Sequence, residues 1–333
     1  METTEALSKK TAHLIEQMLA GNKRALSKLV TIVENDGEES HQVLRHITPP
    51  GKAHRVGVTG PPGAGKSTLV NRLTAYARRE GLRVGIIAAD PSSPFSRGAV
   101  LGDRVRMTQH YMDDGVHIRS MSTRGSLGGL PTTVHGVIKL MDAAGMDLIL
   151  VETVGVGQME LDIMENVDTV IVALVPEAGD DVQAMKAGLM EIADVFVVNK
   201  ADRPGADSMA VEIGNMLMLS SQDDSWEIPV LATQAENDIG VEELYKQVWR
   251  HREAGVASGM LEVRRARQRR NELTAVLQKM VVQEFMDAVS SDPRVSDYVS
   301  QMNDGELTLY EAAEKIYDAI FAAGGVNPEL SRR

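Results

Sequence analysis

The stretch RVGVTGPPGAGKST, residues 55–68, decides the fold of this chain. It opens as an apolar run typical of a buried strand, continues as G-x-x-x-x-G-K-S, and leads into TLVNRLTAYARRE, which has the apolar spacing of a helix. The glycines allow the backbone to curl so that successive N–H groups point at an anion, with a helix N-terminus behind them. The stretch therefore predicts a phosphate-binding loop between a strand and a helix.

Two side chains of this loop have predicted roles beyond the backbone cradle. Lys66 is expected to reach the β- and γ-phosphates of a nucleotide, and the Ser67 hydroxyl is expected to ligate Mg²⁺. The residues of the loop that we predict to contact the nucleotide are Gly60, Pro61, Pro62, Gly63, Ala64, Gly65, Lys66, Ser67 and Thr68.

Short apolar runs alternate with helical stretches on the C-terminal side of this loop. Together with the run that opens the loop, they are RVGVTG, RVGIIAAD, VHIRSM, DLILVET, TVIVALV, VFVVNK and IPVLAT. Several are apolar on both faces, as strands of a buried parallel sheet must be. The alternation predicts a doubly wound, mostly parallel α/β sheet over residues 51–258.

Helical patterns flank this predicted α/β domain on both sides. Residues 1–50 have apolar side chains at helical spacing, and we interpret them as a helical N-terminal extension. Residues 259–333 show one long amphipathic pattern followed by a second helix. Because neither would bury its apolar stripe on a finished α/β domain, we predict a helical dimerisation arm and a homodimer.

Composition excludes several classes of function. The net charge of −12 over 333 residues argues against a nucleic-acid partner. The absence of cysteine excludes disulfides, thiolate metal sites and thiol nucleophiles. Neither a signal-peptide pattern nor an apolar run of bilayer length is present, so we predict a cytoplasmic protein without a membrane partner. We interpret the basic cluster RRARQRR, residues 264–270, as a solvated helix face.

Carboxylates at predicted strand ends are the candidates for the metal site. Asp90 ends RVGIIAAD and Glu152 ends the apolar part of DLILVET, at the sheet edge that faces the phosphate site. Asp103 could reach the same edge, or it could be a solvated loop carboxylate. Since Mg²⁺ takes hard oxygen ligands, the predicted metal residues are Ser67, Asp90, Asp103 and Glu152.

The run VFVVNKAD ends in N-K-x-D and indicates which base is bound. The Asp202 carboxylate can accept hydrogen bonds from both N1–H and the exocyclic amine of guanine, whereas adenine lacks that amine. Asn199 would orient the base and the stem of Lys200 would pack against its plane. In the loop ATQAEND, the backbone N–H groups predicted to contact the guanine carbonyl are those of Gln234, Ala235 and Glu236. Together with the phosphate loop, this pattern predicts a GTPase that uses GTP/GDP and Mg²⁺.

Four further stretches resemble motifs of the MeaB/ArgK/MMAA family, and the resemblance extends over essentially the whole chain. They are ADPSSP (89–94), Leu-Gly-Gly (127–129), ETVGVGQ (152–158) and EAGDDVQAMKAG (177–188). Members of that family are G-protein chaperones of adenosylcobalamin-dependent methylmalonyl-CoA mutase and related acyl-CoA mutases. The resemblance implies a homodimer formed through the C-terminal arm. It also implies that GTP binding and hydrolysis gate loading of adenosylcobalamin onto the mutase and ejection of inactivated cofactor.

The residues predicted to support GTP hydrolysis depart from the usual GTPase pattern. Many GTPases orient the attacking water with a glutamine after the D-x-x-G-like glycine, but this chain has Val156 there. The resemblance assigns Lys186 to a third switch segment. We predict that Lys66, Lys186 and Gln158 are the catalytic residues and that hydrolysis is slow without a partner.

Three alternatives remain open at this point. A GTPase that inserts nickel during metallocentre maturation would need clustered imidazole or thiolate ligands, which the chain does not show. A small-molecule kinase of the same P-loop group conflicts with N-K-x-D. A nucleotide-regulated interaction module whose hydrolysis is incidental is compatible with Val156.

Overall fold

The computed structural model describes residues 7–47, 52–90, 110, 112–122, 133–153, 162–176, 188–219 and 226–324. Its strands are β1 (His54–Thr59), β2 (Val84–Asp90), β3 (Val116–Ser122), β4 (Leu148–Glu152), β5 (Thr169–Leu174), β6 (Val195–Asn199) and β7 (Val230–Thr233). They pair in parallel in the order β3-β2-β4-β1-β5-β6-β7. Each corresponds to one of the seven apolar runs, so the predicted parallel α/β sheet is confirmed.

Helices cover both faces of the sheet. The helices of the sheet-bearing part of the chain are α1 (Lys9–Leu19), α2 (Lys23–Glu34), α3 (Glu38–Arg45), α4 (Lys66–Arg79), α5 (Val134–Ala143), α6 (Ala206–Leu219) and α7 (Val241–Ser258). Ile86 belongs to the core cluster formed with α4 and α7, and its neighbour Ile87 belongs to the cluster formed with the other helices. Because adjacent strand residues point to opposite faces, both faces must be apolar, which explains the continuous apolar runs.

The N-terminal helices share the core of the sheet. The side chain of Asn22 accepts the backbone N–H groups of Arg24 and Ala25, and this cap starts α2. Met18 and Leu29 are fully buried in the same cluster as the residues of α5. These helices therefore contribute to the hydrophobic core of the α/β unit.

Up to residue 324, where the described part of the chain ends, three helices follow α7, namely α8 (Met260–Ser291), α9 (Pro293–Asn303) and α10 (Leu309–Gly324). The chain divides into two compact units, Met1–Gln268 and Arg269–Arg333. The first turns of α8, up to Gln268, thus belong to the sheet-bearing unit. The boundary between the units therefore lies about ten residues after residue 259, where we predicted that the arm begins. No pattern predicted α9, although Asp292 caps it and Pro293 occupies its first position. None of the helices in the described part of the chain has the length and hydropathy that a bilayer span needs.

Asp168, just before β5, anchors the first turns of α8. Its side chain is 0% exposed and accepts two hydrogen bonds from the Arg265 guanidinium, at 2.9 and 2.7 Å, beside an ion pair with Arg55. Burial alone would raise the pKa of this carboxyl, but the neighbouring His54, the hydrogen bonds from Arg265 and the charge of Arg55 hold that pKa well below its ordinary value. The interpretation of 264–270 as a solvated face is therefore wrong for Arg265.

Two more residues of the same turns bind the sheet-bearing unit. Arg264 forms a bidentate pair with Asp194, with distances of 2.6 and 2.8 Å. Gln268, which is 3% exposed, donates from Nε2 to the carbonyl oxygens of Met164 and Val167 at 2.8 and 2.7 Å. Charge and amide groups, and not only apolar packing, hold the start of α8.

Candidate functional site

The phosphate loop has the backbone that its glycines predict. Gly60 and Gly65 have φ values of +132° and +84°, which favour glycine. A Cβ at Gly60 would overlap the Ala173 carbonyl oxygen, and one at Gly65 would overlap the side-chain amide of Asn199. Both positions therefore require glycine for steric as well as conformational reasons.

Lys66 begins α4 and turns its ammonium group back over the loop. Its Nζ donates to the carbonyl oxygens of Gly60 and Pro61 at 2.6 and 2.9 Å, and the residue is 6% exposed. A buried cation at the start of a helix, beside a glycine-rich loop, suits an anionic ligand such as a phosphate chain.

Ser67 and Glu152 meet at the carboxyl edge of the sheet. The Ser67 hydroxyl donates to Glu152 Oε1 at 2.5 Å, and Glu152 is 8% exposed at the end of β4. This pair of hard oxygens next to the phosphate loop fits the ligand preference of Mg²⁺. The backbone of Asp90 ends β2 at the same edge, two residues beyond Ala88, the register partner of Glu152. Among the described residues, however, no group of three acidic or histidine side chains could hold a metal.

Asn199, at the end of β6, joins the phosphate and base ends of the site. Its Nδ2 donates to the carbonyl oxygen of Ala64 at 2.8 Å. Its Oδ1 accepts from the Thr233 hydroxyl at 3.0 Å and from the Ala235 N–H at 3.1 Å. The residue is 2% exposed, so it tethers three segments in addition to its predicted role of orienting a base.

The N-K-x-D residues after Asn199 lie at the surface of the same edge. Lys200 has a φ of +56°, a left-handed conformation that is uncommon for lysine. Asp202 is exposed, so its carboxylate is accessible to a base. Strained backbone of this kind often marks binding sites, and the role of this turn in binding guanine stays a prediction.

The loop after β7 makes contacts that the sequence did not predict. The Gln234 N–H donates to the Ile239 carbonyl oxygen at 3.0 Å, and the Ala235 N–H donates to Asn199 Oδ1 at 3.1 Å. Of the three predicted donors, the Glu236 N–H is therefore the best candidate for a base carbonyl. Arg72, on α4, donates from Nε to the Ala235 carbonyl oxygen at 2.9 Å and from Nη2 to that of Glu236 at 2.5 Å. No local signal could reveal Arg72, because an arginine at a half-exposed helical position usually faces solvent.

Several predicted site residues cannot be placed. Asp103, Gln158 and Lys186 lie outside the described residues, as does Val156, and of Asp90 only the backbone is described. The described geometry thus brings together Lys66, Ser67 and Glu152 at one end and Asn199 with the loop after β7 at the other. The catalytic roles of Gln158 and Lys186 stay predictions.

Comparisons with known proteins extend over almost the whole chain. Residues 26–290 match the family described as methylmalonyl Co-A mutase-associated GTPase MeaB. A Pyrococcus abyssi protein named as a GTPase is 46% identical over 315 residues, which cover 93% of this chain and 97% of the relative. The mitochondrial methylmalonic aciduria type A homolog of Mus musculus is 30% identical over 339 residues, covering 95% of this chain and 82% of the relative.

Among the solved structures that this chain resembles is one that is similar in both fold and sequence. The crystal structure of an LAO/AO transport system kinase aligns with a TM-score of 0.66 and 26% identity, and the alignment covers 95% of this chain and 99% of that chain. The family match includes the phosphate loop, the N-K-x-D residues and most of α8.

Proposed function

Because this chain belongs to the methylmalonyl-CoA mutase-associated GTPase family MeaB and is a GTPase, we propose that it is a chaperone of an adenosylcobalamin-dependent acyl-CoA mutase. GTP binding and hydrolysis would gate adenosylcobalamin loading and the protection or reactivation of methylmalonyl-CoA mutase or a related enzyme. The observation that carries this proposal is the family match over residues 26–290. The Mus musculus relative, whose name refers to methylmalonic aciduria, supports it.

The nucleotide site can be assigned in detail on this basis. Residues 60–68 would bind the phosphates, and Asn199, Lys200 and Asp202 would bind guanine. The Glu236 N–H would donate to the guanine carbonyl, since the Ala235 N–H is held by Asn199. Ser67 and Glu152, with Asp90 and Asp103, would hold Mg²⁺, which would neutralise phosphate charge. The support is the contact between Ser67 and Glu152 beside the buried ammonium of Lys66.

The partner mutase would control the rate of hydrolysis. With Val156 in place of a water-orienting glutamine, the free protein should turn over at roughly 10⁻⁴–10⁻² s⁻¹, as unassisted GTPases do. Lys186 would reach the phosphates when the mutase stabilises its segment, and would offset charge that develops in the transition state. Gln158 is the alternative residue for this role.

The arm would form the homodimer. Within the second unit, the exposed apolar residues along α8 include Leu273, Val276, Leu277, Met280 and Val281. A contiguous apolar stripe of this kind is typical of a helix that packs against a partner. A second copy of the chain is the partner that the family resemblance implies.

Single-turnover GTP hydrolysis with and without purified cobalamin-dependent mutases tests the proposed function. We expect one mutase to accelerate the wild-type protein, and Lys186→Ala to lose that acceleration while keeping its GTP affinity. Full acceleration of Lys186→Ala would exclude Lys186 and leave Gln158. Absence of acceleration by every acyl-CoA mutase of the native cell would contradict the chaperone proposal.

A kinase function, as in the name of the solved relative, is the second candidate. In the same assay, release of the γ-phosphate to water supports a GTPase that acts on a partner. Its transfer to a small-molecule acceptor would support the kinase.

A further inference from the structure

We propose that Arg72 is a positioning residue that sets recognition of the carbonyl at position 6 of the base. The inference rests on the assignment, made above, of the Glu236 N–H to the guanine carbonyl. Arg72 does not contact the nucleotide in this scheme, and it acts through one peptide group of the loop after β7.

The forked guanidinium group of Arg72 joins α4 to the loop after β7. Arg72 lies on α4, less than two turns after Lys66, so it moves with the phosphate loop. Its Nε and Nη2 reach two successive carbonyl oxygens, those of Ala235 and Glu236, at 2.9 and 2.5 Å. The planar guanidinium suits two such acceptors, whereas an ammonium group has no fixed fork.

Peptide planarity transmits this contact to a donor. The Ala235 carbonyl and the Glu236 N–H belong to one planar group and point in opposite directions. When Arg72 holds the carbonyl, it also fixes the direction of the Glu236 N–H. The guanidinium charge polarises the peptide, which makes that N–H a stronger donor to an incoming carbonyl.

Other contacts hold the ends of the loop and leave this central peptide to Arg72. Gln234 is fixed through Ile239, and the Ala235 N–H is fixed by Asn199. The Ala235 carbonyl oxygen also accepts a longer bond of 3.4 Å from the Asp238 N–H. Of the two contacts to that oxygen, the one from Arg72 is shorter and carries the charge.

This geometry predicts that replacing Arg72 lowers nucleotide affinity by an amount that depends on the chemistry of the base. Guanosine and inosine diphosphates carry the 6-carbonyl, and 2-aminopurine riboside diphosphate lacks it. In Arg72→Ala, the Kd of the first two should rise about five- to tenfold, the effect of weakening one hydrogen bond. The Kd of the third should stay unchanged. A purely structural role of Arg72 would weaken all three equally.

Competition against a fluorescent GDP analogue gives the three dissociation constants for each variant. Arg72→Lys keeps the charge without the fork and should show a smaller loss with the same base dependence. Arg78→Ala is the matched control, since Arg78 lies on the same helix and binds Asp113 and the Leu82 carbonyl oxygen. Steady-state hydrolysis should show a higher KM for GTP in Arg72→Ala with kcat unchanged.

Two results would overturn the inference: an equal loss for all three nucleotides, or an unchanged Kd for GDP. If Arg72→Ala folds poorly by circular dichroism, Arg72→Lys carries the same comparison. Asp202→Asn separates this failure from a failure of the guanine assignment. If Asp202→Asn leaves the preference for GDP over xanthosine diphosphate intact, the assignment itself is wrong.

Discussion

Asn199 shows how a single residue can couple the two ends of the site. It binds the phosphate loop through Ala64 and the base loop through Ala235, and its amide occupies the space that a side chain at Gly65 would need. A change at any of these positions should therefore alter both phosphate and base binding. Asp202, which is exposed and outside this network, is the position where base recognition can be changed alone.

The Asp202→Asn substitution should redirect base specificity. The new amide would place its NH₂ against the exocyclic amine of guanine, so GTP affinity should fall by about 1–3 kcal/mol. Xanthine has a carbonyl at that position, so XTP should be bound instead. Titration of both nucleotides against both proteins measures this exchange. Unchanged GTP affinity without XTP binding would contradict the predicted role of Asp202.

The buried histidines predict how stability depends on pH. Burial, helped by the charge of Lys23, lowers the pKa of His117 to about 4, and burial also lowers the pKa of His54 and His251. Below a pH of about 6.5, these histidines therefore bind protons in the unfolded chain but stay neutral in the folded chain. The stability that these groups contribute is complete above that pH and decreases as the pH falls below it, for His117 down to its folded pKa of about 4.

Urea unfolding at pH 7, 6 and 5 measures this effect. The free energy of unfolding should decrease by up to about 1.4 kcal/mol per pH unit for each such histidine. His117→Gln should show a shallower decrease than the wild type over this range. An equal pH dependence in both proteins would show that His117 does not titrate as described.

Local sequence patterns predicted the residues whose chemistry follows from a strand end. Lys66, Ser67 and Glu152 were predicted because a phosphate loop and a carboxylate at a strand end can each be recognised from a few consecutive residues. Arg72 and Arg265 were not predicted, because their partners lie 163 and 97 positions away along the chain. Long-range polar pairs leave no periodicity, and only the fold brings them together.

At the scale of elements, the start of α8 is a part of the sheet-bearing unit held by charge. Asp168 and Asp194 lie at the amino ends of β5 and β6, opposite the nucleotide edge, and receive Arg265 and Arg264. A buried carboxylate and its two guanidinium partners stabilise the fold only together, because removal of one charge leaves the remaining charges buried without a counter-charge.

The Asp168→Asn substitution should therefore be strongly destabilising. Two partly buried guanidinium groups, those of Arg55 and Arg265, would lose their counter-charge, and we expect a loss of about 3–5 kcal/mol in the free energy of unfolding. Glu165→Gln is the control, because its 3.8 Å contact with Arg267 is between side chains that are 34% and 51% exposed, and it should matter by less than about 1 kcal/mol. Comparable midpoints of urea unfolding for the two variants would contradict the buried-cluster interpretation.

At the scale of the whole molecule, the structure suggests where the arm can be removed. The sheet and the predicted nucleotide residues lie in the unit that ends at Gln268, together with the first turns of α8. The exposed apolar residues of α8 from Leu273 onward lie in the second unit. The boundary between the two compact units thus falls inside a continuous helix, which no composition shift or loop signal could have indicated.

Two truncations test this boundary. A chain ending at Gln268 should fold, bind GDP and be monomeric by light scattering. A chain ending at Ser258 lacks Arg264, Arg265 and Gln268, so it should bind GDP but unfold at lower urea concentration. A dimer that persists without residues 269–333 would place the interface in the first unit. Equal stability of the two truncated chains would contradict the proposed anchoring.

The place of β1 in the sheet has a consequence for biosynthesis. Val56 pairs with Leu150 on one side and with Thr169 on the other, so both neighbours of the central strand are translated long after it. At about 5–20 residues per second, β1 waits roughly ten seconds on the ribosome with both edges unpaired. Such distant pairing makes folding slow and exposes unpaired strand edges to aggregation. Cells that produce this protein in quantity should therefore depend on ribosome-associated holding factors during that interval.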